Sequence, residues 1–192
     1  MSNNQPARLS PEQRRDQILD VATRYLSHST YDSMSMQAIA AEAGVTRALV
    51  HHYFGGKDGL YDAVVAREVG VLLELTALDP SLSPEQNLDR ALGAYFDYFS
   101  STGGELRRFY ASVASAPKHD HPVADAHLVQ IDRIIGALGV PDSPRNRIAV
   151  AAWLTFVVEA ANESAARPEV TRDDVLSICR AALRAAVSDT PT

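Results

Sequence analysis

Apolar residues return every three or four positions along nearly the whole of this 192-residue chain, and no stretch alternates residue by residue as a half-buried strand would. That period confines the fold to packed helices. "SPEQRRDQILDVATRYLSHS" opens with Ser10 as an N-cap, Pro11 at the first helical position and Gln13 three residues after the cap, and its Ile18, Leu19, Ala22 and Leu26 form one stripe. Further helices are expected over about 36–43, 47–54, 57–75, 83–100, 105–116, 123–139, 146–167 and 171–187, separated by Gly55-Gly56, "DPSLSP", Gly103-Gly104, "PKHDHP", "VPDSPR" and Pro168. Ser83 before Pro84 caps the fifth, and Thr171 with Asp174 three residues on caps the last. The expectation is an all-α chain of about nine helices.

Composition narrows the functional classes. A 46% hydrophobic content supports a sizeable core, and the opening "MSNNQPARLS" lacks the apolar centre of a signal peptide. The apolar run "IAVAAWLTFVV" reads as too short for a bilayer and is followed by Glu159 and Asn162. Cys179 is alone, which excludes an internal disulfide and a cysteine-rich zinc site. A cytoplasmic protein with no membrane partner is expected. The net charge of −6 argues at first against nucleic acid, but residues 1–67 hold seven basic and seven acidic groups, leaving eleven against seventeen in the rest. A neutral module followed by an acidic body suits a DNA-binding head on a non-binding body.

The segment from Met36 to Gly55 has helix-turn-helix spacing. Ile39, Ala43, Val50 and Phe54 fall on the inner face, Ala40 is small enough for close helix approach, and Gly44 sits where the turn needs a positive φ. Thr46 is placed to cap the second helix, and Thr46, Arg47, Ala48, His51 and His52 are left pointing outward. An ordinary helical hairpin would show the same spacing. His51 and His52 are a poor metal pair, because adjacent helical side chains diverge by about 100°.

The neighbouring residues extend the pattern. From Arg14 to Val65 the chain resembles the TetR family of bacterial transcriptional repressors, through Ile18-Leu19 and Ala22, Tyr31, "IAAEAGV" (39–45), "TRALVHHYF" (46–54) and "GKDGL" (56–60). The resemblance implies a DNA-binding domain over 1–56 and an effector-binding and dimerisation domain over 57–192. It implies base and phosphate contacts by Thr46, Arg47, Ala48, His51 and His52, with Tyr53 and Lys57 on phosphates and Ser35 capping its helix beside the backbone. Where the family often carries tyrosine, this chain has His51, whose imidazole N–H is able to make a phosphate contact. The same likeness implies a homodimer through the eighth and ninth helices, a double-stranded operator, a small-molecule effector and no cofactor. A DNA-binding dimer without an effector, and a helical enzyme or metal-binding protein, are the competing readings; no nucleophile–base pair or phosphate loop supports the last.

In the body, Tyr95, Phe99, Phe109 and Trp153 read either as core or as walls of an effector pocket. Glu159 and Asn162 are polar residues on an apolar helix. A carboxylate there needs a salt bridge, a solvated dimer rim or a role as a polar anchor for the effector. "KHDHPVADAH", with His119, His121 and His127, is either a solvated loop or a divalent-cation site.

Overall fold

The computed structural model describes residues 9–101 and 122–187. Among them are eight helices and no strand: α1 (Pro11–His28), α2 (Met36–Glu42), α3 (Arg47–Phe54), α4 (Lys57–Leu75), α5 (Pro84–Ser101), α6 (Pro122–Leu138), α7 (Pro144–Ala165) and α8 (Arg172–Val187). The expected helix over 105–116 lies outside the described residues, so the eighth and ninth expected helices are α7 and α8. The chain divides into two compact units with the division between Val65 and Ala66. The first unit therefore takes in the amino-terminal half of α4, beyond the 56/57 boundary expected at that helix's start.

The first unit is α1, α2, α3 and the opening of α4. Ser10 and Gln13 form the expected reciprocal cap, with Ser10 Oγ accepting from Gln13 N and Gln13 Oε1 accepting from Ser10 N. Ile18, Leu19, Ala22 and Leu26 are buried, joined by Val21, Ile39, Ala40, Ala43 and Val50. Burying each large side chain contributes about 1.5–3 kcal/mol, which is what fixes α2 and α3, two short helices that would be marginal alone.

The second unit is a helical bundle. α7 packs along α8 and against both α5 and α6, and α5 packs on α6 and α8. Phe99, Leu72, Val123, Val150, Val157 and Cys179 are fully buried. Arginines of α8 reach carboxylates on α5 at three levels, Arg172 to Asp97 at 2.6 Å, Arg180 to Asp89 at 2.6 Å and Arg184 to Glu85 at 3.2 Å. These pairs are exposed, so they fix helix register more than they add stability.

α7 begins at Pro144, two residues before the sequence reading placed it, inside the segment read as a loop. Ser143 Oγ accepts from Asn146 N at 3.2 Å, and buried Asn146 donates to Pro141 O at 2.9 Å. Ser143→Ala should therefore lower stability by about 1 kcal/mol, read as a fall in the urea midpoint; an unchanged midpoint would show that Pro144 alone starts the helix. At 22 residues α7 is also long and apolar enough, by length and composition, to cross a membrane. This corrects the view that its apolar run is too short. One face of it packs against α5, α6 and α8.

Candidate nucleic-acid interface and body cavity

In the head, α2 and α3 meet at Gly44, whose φ of 65° closes the turn. Ser35 Oγ accepts from Ala38 N at 3.2 Å and Thr46 Oγ1 from Leu49 N at 3.1 Å, so each helix has its own side-chain cap. With Val50 and Phe54 buried, the rotation of α3 is set. Thr46, Arg47, Ala48, His51 and His52 are all exposed, and Tyr53 is half-buried with its ring edge-on to His52.

Ser35, Arg47, His51 and Lys57 come together around one open cleft, with Met34, Met36, Gln37 and Gly56 as its other walls. Among the described residues no carboxylate lines it. Gln37 is a residue the sequence reading passed over, although its place just behind the Ser35 cap is a signal for it. Tyr53 borders a separate groove with Leu9, Pro11, Arg14 and Leu49.

Lys57 is less free than a lone surface lysine. Its Nζ lies 4.5 Å from the Tyr31 ring centroid and donates to Asp32 O at 3.1 Å. Tyr31 in turn donates its hydroxyl to Asp58 and meets Tyr61 edge-on. That bond to Asp58 is the main cause holding the Tyr31 hydroxyl above its ordinary pKa.

The body contains a cavity lined by residues of α5, α6 and α7 and by the segment following α4. Tyr95 and Trp153 line it, together with Leu88, Leu92, Ile134 and Leu154. It is narrow: about 20 Å³ of it admits the centre of a water molecule. That is room for about one water. Phe99 lies behind Tyr95 at a ring separation of 4.8 Å and is wholly buried, so it is core rather than wall. Phe109, like His119 and His121, lies outside the described residues.

Glu159 and Asn162 require a correction. Both lie outside the lining of the cavity. Glu159 is exposed because Val157, Val158 and Ala161 take the inner face of α7, and its carboxylate accepts from Asn162 Nδ2 at 3.3 Å rather than from an arginine. Its salt-bridge reading falls, and it stands away from this cavity. His127 is half-buried on α6, where desolvation pushes its pKa below the ordinary value.

The capped pair α2–α3, with an exposed polar face on α3, defines a helix-turn-helix protein. Residues 18–64 match the family model described as bacterial regulatory proteins, tetR family. The HTH-type transcriptional activator FasR of Mycolicibacterium smegmatis is 33% identical over 98 residues, covering 50% of this chain and 45% of that protein. The HTH-type transcriptional regulator BetI of Brucella abortus is 35% identical over 86 residues, 43% of each chain. The chain thus spans less than half the length of these curated relatives. Among solved structures, a tetR-family transcriptional regulator from Streptomyces coelicolor superposes with a TM-score of 0.70 at 24% identity, covering 93% of this chain and 80% of that one. A TetR-like transcriptional regulator from Rhodococcus sp. RHA1 gives 0.69 at 24% identity, with 93% and 98% covered. At that identity the likeness establishes the fold. The helix-turn-helix unit of this chain belongs to the tetR family.

Proposed function

We propose that the protein is a ligand-responsive transcriptional regulator that acts in the cytoplasm as a homodimer and represses by occupying a near-palindromic operator. The observation that carries this reading is the cleft of the head, where Ser35, Gln37, Arg47, His51 and Lys57 surround a space that no carboxylate of the described residues lines, beside the exposed face of α3. A duplex offers phosphates to such a surface and base edges to the side chains that reach past them. Thr46, Ala48 and His52 extend the face along α3, and Tyr53 reaches a flanking phosphate. One head reads only a short segment, so two-fold pairing of protomers requires a two-fold operator.

Arg47 has the planar fork that pairs with guanine. Arg47→Ala should lower operator affinity by about 1–3 kcal/mol and relax the preference at one base pair in each half-site. Lys57→Ala should weaken binding to all sequences alike and reduce the slope of log affinity against log salt by about one unit. Fluorescence anisotropy on the intergenic DNA beside the protein's own gene, repeated over a salt series, reads both. Unchanged affinity and selectivity in Arg47→Ala would show that the reading face lies elsewhere.

An effector entering the body cavity would part helices that meet at the end of α4, the helix that begins in the head. To release the operator it must prefer the non-binding arrangement, since equal affinity for both shifts nothing. The direction of regulation is checked with a reporter gene, because repression predicts higher expression on deletion and activation predicts lower. A second reading, a DNA-binding dimer with no effector, is favoured by the narrowness of the cavity, about 20 Å³. Operator complexes that survive every ligand found to bind the body would select it.

A further inference from the structure

The cavity of the body is lined by apolar side chains on most sides, and among the described residues lining it Arg133 is the one that is charged. Thr76, Asn87 and Gln130 are its other polar residues apart from Tyr95 and Trp153. These three are nearly closed to solvent and already engaged. Gln130 Nε2 donates to Thr76 Oγ1 at 2.6 Å, and Thr76 Oγ1 donates to Leu72 O at 2.7 Å. Asn87 spends its amide on Asp79, Leu82 and Ser83 backbone groups.

Arg133 is engaged on one side only. Its Nη1 donates to Leu73 O at 2.8 Å and lies 3.4 Å from Thr76 Oγ1, which caps the carbonyl end of α4. No carboxylate among the described residues pairs with it, and its Nε and Nη2 have no acceptor there. Helix capping accounts for Nη1, while Nε and Nη2 are open to solvent and so available to a ligand. A half-buried guanidinium facing an apolar cavity is matched by an anion, since the fork fits a planar carboxylate with two parallel hydrogen bonds.

We propose that the cavity takes an amphipathic organic anion, with a carboxylate on the open side of Arg133 and an apolar body between Leu88, Leu92, Ile134, Leu154 and the ring of Trp153. This rests on the reading of the cavity as the effector site. As closed here the cavity admits about one water, so the ligand's apolar body must part α5, α6 and α7, and the charge pairing offsets part of that opening.

Trp153 is the only tryptophan of the chain, so its fluorescence reports on the cavity directly. The full-length protein is titrated with decanoate, decanol and decyltrimethylammonium, three probes with one apolar chain and different heads. Decanoate should bind tightest, by on the order of tenfold over decanol, with one site per chain by calorimetry. Arg133→Gln should erase that preference while Arg133→Lys keeps most of it, and thermal melts of both separate the loss of the α4 cap from the loss of binding. Equal binding of decanoate and decanol by the wild-type protein, or a preference that survives in Arg133→Gln, overturns the proposal. So does the absence of any response to all three. Release from DNA is scored separately by anisotropy: decanoate that binds but leaves the operator complex intact would overturn the effector reading and leave the anion site standing.

Discussion

Gly59→Ala should melt the head and abolish operator binding. Gly59 stands in the first turn of α4, where the chain has just turned back after α3. A Cβ built on it would lie 1.9 Å from Phe54 O and 3.1 Å from Phe54 C. Both are backbone atoms, so no side chain can swing aside. The last residue of α3 and the first turn of α4 must separate, and Phe54, buried on the inner face of α3, must move with them. Overpacking typically costs about 1–3 kcal/mol, and a backbone clash belongs at or above the upper end. A unit of this size has little stability in reserve. The control is Gly70→Ala in the same helix, where the added carbon meets nothing within 4 Å. There the gain in helix propensity should stabilise by about 0.5–1 kcal/mol. Circular dichroism melts of the two variants should move in opposite directions, and a wild-type melting point for Gly59→Ala would refute the steric argument.

"GKDGL" was legible in the sequence as a family signature, but not the reason for its second glycine. Gly59 lies inside a helix at a negative φ, so the rule that glycine supplies a left-handed turn says nothing of it. Only the approach of a carbonyl five residues back explains it, and that is a fact of three dimensions. Gly44 and Gly55 are the contrasting cases, with φ of 65° and 75° at the two places where the turn chemistry asked for them. Helix starts divide in the same way. Ser10-Pro11 and Ser83-Pro84 were read as caps, and Ser143-Pro144, with the same pair of residues, was passed over because "VPDSPR" also carries loop signals. The cap won because Asn146 donates back to Pro141 O and ties the loop to the helix.

The head was more legible than the body because its positions are fixed by short capped helices with one inner face each. Thr46, Arg47, Ala48, His51 and His52 are exposed where the period put them. In α7 the period is blurred by alanine, which fits either face. Glu159 looked like a buried carboxylate in need of a partner, but a rotation that seats Trp153, Val157 and Ala161 inward carries it to solvent. Arg133 was missed because an arginine on an amphipathic helix reads as solvated surface, and nothing in the sequence shows that the end of α4 closes over it.

The same rotation of α7 decides where a homodimer would form. Ile148 is 70% exposed, Phe156 40% and Ile178 on α8 54%, and exposed Ala152, Ala181 and Ala185 continue the two stripes. Such large apolar groups in line on adjacent helices favour a partner surface over solvent, and two copies of α7 and α8 would close as four helices. Phe156→Glu should therefore dissociate the proposed dimer while leaving the protomer folded, because the new carboxylate remains in water once the partner leaves. Burial of an unpaired charge at the interface costs several kcal/mol, roughly 3–5, which lowers association by about two to four orders of magnitude. Ala161 behaves differently. It is wholly buried within its own protomer, so Ala161→Glu should unfold the body instead of splitting a dimer, a distinction the sequence did not reveal. Sedimentation at micromolar concentration, paired with circular dichroism, separates the two outcomes. Phe156→Glu should sediment as a folded monomer with operator affinity reduced to that of a single head. A wild-type protein already monomeric at that concentration would remove the dimer from the proposed function, and with it the requirement for a near-palindromic site.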